Sequence, residues 1–163
     1  MATKGGPAMT QEYPLLNNAV ADPQSGEQQG QVRVLVALGI NPYSARLLQT
    51  AARLAGSLNG ELLALHIAPP GNATSLYAAN LQRHVDLAHE LGAQVETVEG
   101  KDIAVALVNH AQRRRVTHLV LGQSDVSRWR EVTRGTVINR IQRLVLQSGG
   151  GIDLYIVTAS SRF

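Results

Sequence analysis

The sequence predicts an α/β domain, a five-stranded parallel open sheet, doubly wound with helices on both faces. Two observations carry the prediction. From Gln31 onward, short β-branched runs alternate with segments of helical period without a break. The first run, Val32 to Leu38 (VRVLVAL), is apolar at nearly every position, as a strand buried on both faces should be. Helical connections of this length are what parallel neighbours require. Their fixed hand leaves only doubly wound topologies.

Each element follows in order. After the first strand comes the turn Gly39-Ile40-Asn41-Pro42, with Asn41 as N-cap and Pro42 at the first helical position. Leu47, Leu48, Ala51, Leu54, Ala55 and Leu58 mark one face of the first helix, and Asn59-Gly60 supplies the left-handed conformation that ends it. A second strand, Glu61 to Ile67, runs into the breaker Pro69-Pro70-Gly71. The second helix spans roughly Thr74 to Leu91, with Leu81, Val85 and Ala88 at core spacing and Gly92 as its stop. Ala93 to Val98 is a third strand, less apolar than the first and so nearer an edge. Asp102 caps a third helix through about Arg114, buried through Ile103, Leu107 and Ala111. Val116 to Leu121 is the fourth strand. The last helix runs from about Thr136 to Gln147, with Val137, Ile138, Ile141, Leu144 and Val145 inward. Gly149-Gly150-Gly151 then releases a fifth strand, Ile152 to Thr158.

Residues 1–30 are rich in Gly, Pro, Gln, Asn and Ser and predict a disordered tail or linker, leaving 31–160 as the domain. A chain of 163 residues with 44% apolar content suits one core. No stretch approaches the roughly 18 to 20 consecutive apolar residues of a membrane span, so direct membrane insertion is not expected. The first residues lack the apolar segment of a secretory signal, and the expectation is a cytoplasmic protein. There are no cysteines, which excludes disulfides and thiolate metal sites.

The most informative stretch is Leu119 to Val145. A strand ends at Gly122, an arginine-bearing loop follows, and Gly135-Thr136 opens an amphipathic helix. Backbone N–H groups at such a helix start can face an anion. The net charge of +3 is concentrated here: eight arginines between Arg113 and Arg143 face only Asp125 and Glu131. Arg113, Arg114 and Arg115 close a helix, where cations meet the C-terminal dipole favourably, while Arg140 and Arg143 belong to a solvated face. That leaves Arg128, Arg130 and Arg134 as anion ligands. With Trp129, the run Ser127-Arg128-Trp129-Arg130-Glu131 offers bidentate guanidinium recognition and an indole to stack on a base or cation. Alternatively, Trp129 folds back over the sheet with the arginines paired to Glu131 and Asp125.

Other chemistries find little footing. Loop hydroxyls Ser124, Ser127 and Thr136 lack a nucleophile-elbow context, and no P-loop lysine follows Gly135-Thr136. No catalytic residue is assigned. The histidines have no carboxylates at metal-ligand spacing. His84 and His89 point about 140° apart on a helix, so no metal site is expected. His66, at a strand end, suits a hydrogen-bonded structural role. With 4% aromatic residues and no recognisable module, nucleic acid is not an expected partner.

The segments VRVLVALGINPYSARLLQTAARLAG and LGQSDVSRWREVTRGTVINRI, with the terminal IDLYIV, resemble the universal stress protein family. More narrowly, they resemble its version inside KdpD, the potassium-responsive sensor histidine kinase. The resemblance covers about Val32 to Val157. It implies a fold of the adenine nucleotide alpha hydrolase-like type, with a ligand edge built from Gly39, Asn41, Gly122, Ser124, Ser127, Arg128, Trp129, Arg130, Gly135 and Thr136. ATP-binding members carry a glycine, two residues, a second glycine, nine residues, then Gly-Ser or Gly-Thr. Gly122 and Gly135-Thr136 fit that spacing, but Asp125 stands at the second glycine. Those members also carry an acidic residue after the first strand, where this chain has Gly39. A side chain at position 125 hinders close backbone approach to a polyphosphate, and a carboxylate repels it.

The expectation is therefore a non-enzymatic regulatory domain in potassium or osmotic stress signalling, which senses a nucleotide-like ligand or binds a partner protein. Its alternative is an ATP-binding universal stress protein with slow hydrolysis. Implied ligands are ATP or a cyclic adenine dinucleotide. Implied partners are a sensor kinase, a response regulator or another universal stress protein. The apolar last strand would lie at a sheet edge, and unpaired edges invite pairing. The resemblance implies a homodimer through it, with Ile152, Leu154 and Ile156 at the contact.

Overall fold

The computed structural model describes residues 30–71, 78–122 and 137–158. The tail expected over residues 1–30 falls almost wholly outside them. Among the described residues, five strands, β1 (Arg33–Leu38), β2 (Glu61–Ala68), β3 (Gln94–Glu99), β4 (His118–Gly122) and β5 (Asp153–Val157), alternate with four helices. These are α1 (Ser44–Ser57), α2 (Ala78–Glu90), α3 (Ile103–Arg113) and α4 (Val137–Gln147). The sheet runs in the order β3-β2-β1-β4-β5, every pairing parallel. The predicted architecture is the observed one.

Alternation along the strands sorts the core into two layers. Leu35, Leu63, Leu65, Leu119 and Leu121 face α3 and α4 through Leu107, Ala111, Ile141 and Val145. Val34, Val36, Leu62, Ala64 and Val120 face the other way, onto Leu48, Ala51, Ala55 and Ala88 of α1 and α2. Val34, Leu35, Val36, Leu119 and Val120 are fully buried because β1 and β4 are central. The more polar β3 is an edge strand, as its composition predicted.

Some expectations need correction. Ile103 is 37% exposed, because the buried face of α3 is set by Ala104, Leu107, Val108 and Ala111. A helix turns about 100° per residue, which swings position 103 away from that face. Leu58 is 39% exposed because it is the C-cap of α1, where the helical stripe ends. On α2 it is His84 and Ala88 that are buried, while Leu81 and Val85 are half-buried. The N-cap of α1 is Tyr43 rather than Asn41. Asn41 instead closes the preceding turn: its Oδ1 accepts from Tyr43 N–H at 3.0 Å and its carbonyl from Ser44 N–H at 2.9 Å.

Candidate functional site

Strand order reverses between β1 and β4, since β2 and β3 lie to one side and β5 to the other. The carboxyl ends of these two strands therefore flank the crevice where ligands of doubly wound sheets bind. Gly39 follows β1 there, and Gly122 ends β4.

Both backbone groups of Gly39 are engaged inside the chain. Its N–H donates to Ser44 Oγ at 3.2 Å, and its carbonyl accepts from the same hydroxyl at 3.1 Å. The carbonyl also meets His84 Nδ1 at 2.8 Å. Leu38, one residue earlier, has its carbonyl 3.3 Å from His66 Nδ1. Carbonyls only accept, so Nδ1 of each ring carries the proton and Nε2 of the neutral ring keeps a lone pair. Thus His66 has the hydrogen-bonded role predicted for it. Ser44, 2% exposed, was not singled out by sequence reasoning, and His84, 7% exposed, was weighed there only as a metal ligand. The signal was present: each is a polar residue in phase with an apolar stripe, Ser44 with Leu48 and Ala51, His84 with Leu81 and Ala88.

Gly122 has a packing reason. A Cβ there would lie 2.8 Å from Cδ1 of Leu47, so a larger residue would force Leu47 on α1 to move. Arg140, expected on a solvated face, is instead ion-paired with Asp102. Asp102 Oδ1 also accepts from Val105 N–H at 3.2 Å, which confirms the predicted cap of α3. One carboxylate thus ties the starts of α3 and α4 together on the ligand side of the sheet. Arg114, expected to serve the helix dipole, pairs with Glu96 at 3.0 Å and with Gln94 at 2.9 Å. Ser124, Asp125, Ser127, Arg128, Trp129, Arg130, Arg134, Gly135 and Thr136 lie outside the described residues.

An open cavity of about 270 Å³ sits at the opposite, amino-terminal end of the strands, lined by Gly56, Gly60, Glu61, Gly92 and Gln94 among others. It is remote from the strand carboxyl ends, so the crevice rather than this cavity is the candidate site. Among the described residues, no group of three His, Asp or Glu side chains could hold a metal ion.

The universal stress protein family model matches residues 32–145. The chain belongs to the universal stress protein family. It is 36% identical over 132 residues to the sensor protein KdpD of Mycobacterium tuberculosis (strain CDC 1551 / Oshkosh), covering 80% of this chain and 15% of that protein. The chain therefore spans a small part of the relative it matches. Among solved structures, a universal stress protein in complex with cAMP superposes with a TM-score of 0.61 at 24% identity, over 80% of this chain and 98% of that one. The universal stress protein of Archaeoglobus fulgidus in complex with dAMP gives 0.53 at 19% identity, over 77% and 96%. These likenesses establish the shared fold.

Proposed function

We propose that this domain is a cytoplasmic regulatory module that receives an adenine-type nucleotide, or a partner protein, at the β1–β4 crevice and biases a potassium or osmotic stress signal without turning the ligand over. The observation that carries this reading is the state of Gly39. ATP-binding members of the family are expected to present a carboxylate after the first strand; here the position is a glycine whose N–H is held by Ser44 and whose carbonyl is held by Ser44 and His84. Identity to a sensor protein supports a signalling role, with a sensor kinase, a response regulator or another universal stress protein as partner. The cAMP and dAMP complexes of proteins with this fold support an adenine ligand. A homodimer through β5 belongs to the same reading.

Calorimetry with ATP, AMP, cAMP and a cyclic adenine dinucleotide is the test. The expected result is weak or absent ATP binding, clear binding of one of the smaller or cyclic ligands, and its loss in Trp129→Ala or Arg128→Ala. Tight ATP binding abolished by Gly135→Arg would overturn the reading. It would favour the second one, an ATP-binding protein with slow hydrolysis, which the spacing of Gly122 and Gly135-Thr136 supports.

A further inference from the structure

We propose that His84 is the residue that reads the ligand's base, accepting a hydrogen bond from an exocyclic amino group through Nε2. This rests on the nucleotide reading above and adds the recognition chemistry to it.

The backbone of Gly39 has little left to offer a ligand. Its carbonyl oxygen has two lone pairs, one engaged by Ser44 Oγ–H and the other by His84 Nδ1–H, and its N–H is spent on Ser44. A base entering at the end of β1 therefore gains little from this backbone. The imidazole of His84 stands beside it, with Nδ1 2.8 Å from the Gly39 carbonyl. Its tautomer is fixed by the carbonyl, so the neutral ring holds an acceptor at Nε2. Nδ1 makes the ring's hydrogen bond among the described residues. The single buried side-chain nitrogen or oxygen left without a partner among those residues is Arg114 Nε. His84 Nε2 is consequently not sealed in the core. It lies within the small part of a 7% exposed residue that solvent reaches. A polar side chain buried to that degree, anchored at one nitrogen and open at the other, is a preorganised acceptor.

His66 is paired in register with Leu38, the last residue of β1, and is anchored in the same way by the Leu38 carbonyl. Two imidazoles are thus anchored through Nδ1 on the Leu38 and Gly39 carbonyls at the end of β1, next to the position where ATP-binding relatives are expected to offer a carboxylate. An acceptor matches the 6-amino group of adenine. A site built to take a hydrogen bond discriminates against an analogue that lacks the donor, because its own group is left unmatched.

Two nucleotides that differ only in that amino group test the proposal: AMP and purine riboside 5′-monophosphate, with cAMP and its purine riboside counterpart as a second pair. The whole chain is expected to bind the amino-bearing member about tenfold more tightly. His84→Asn places an amide near Nδ1, preserving a donor to Gly39 while deleting Nε2, and should bring the ratio close to one. His84→Gln restores a group near Nε2 and should recover part of the preference. Thermal melting of each variant shows whether it is folded; if His84→Asn does not fold, the His84→Gln ratio decides alone, and a wild-type ratio above about tenfold with none retained in the glutamine variant counts against the proposal. Equal affinity of the wild type for both members of a pair overturns this inference and leaves the nucleotide reading standing. An undiminished ratio in His84→Asn does the same. If neither AMP nor cAMP binds, this inference falls, and the nucleotide reading falls with it only when the cyclic adenine dinucleotide also fails to bind.

Discussion

His110 is 5% exposed in the last turns of α3, with Nε2 3.0 Å from Glu96 Oε2. Burial lowers its pKa below 6.5; Glu96 pulls upward, and the nearby Arg113 and Arg114 add to the lowering. The native state thus favours the neutral ring, and the unfolded chain binds the proton more readily. Stability from this group is complete above pH 6.5 and falls as the pH drops through that value, until the folded-state pKa is passed. Urea midpoints measured from pH 7.5 to 5.5 should decline, and His110→Gln should flatten the decline. Arg115 carries a second residue-scale signal, since its φ of +53° is left-handed without being glycine. Arg115→Gly should stabilise the domain by about 0.5–1 kcal/mol, read as a higher urea midpoint. Had the strain been relieved by contacts of the side chain, the midpoint would fall instead.

The four helices end in one way. After α1, Asn59 N–H donates to Gly56 and Gly60 N–H to Ala55; the same paired pattern recurs at Gly92 and Ala93, Arg115 and Val116, and Gly149 and Gly150. In each case the first residue of the pair has positive φ. These bonds satisfy the last carbonyls of the helix and turn the chain into the next strand. Helix starts are less uniform. Asp102 both caps α3 and meets Arg140 of α4, so its removal acts on two elements. Asp102→Ala should cost about 1 kcal/mol, nearly all from the lost cap, because a pair 36% exposed on both sides is screened by solvent. Asp102→Asn keeps an N-cap acceptor and should cost only a few tenths. Equal losses in the two variants would shift the weight from the cap to the ion pair.

At the scale of the whole molecule, β5 is an edge strand, paired with β4 alone among the described residues. Ile152 and Leu154 turn toward the α3–α4 core, whereas Tyr155 and Ile156 are each 40% exposed. A homodimer through β5 would therefore use the backbone edge with Ile156 and Tyr155, and less of Ile152 and Leu154 than the sequence suggested. Ile156→Lys should lower the mass seen by sedimentation equilibrium to that of one chain; an unchanged dimer would exclude this edge. The parallel doubly wound sheet, the burial of β1 and the edge position of β3 were legible because continuous apolar runs, period-3.6 stripes and helical crossovers admit few parallel topologies. The cap at Asp102 and the stop at Gly92 were legible because they rest on local backbone needs. The roles of Ser44, His84 and Arg140 were not, since each depends on a partner between 5 and 45 residues away that only folding brings near. Sequence by itself determined the layers and the family of this protein, because apolar periodicity is written locally. Tertiary structure decided what occupies the end of β1, because that is a matter of which polar side chains converge on one glycine.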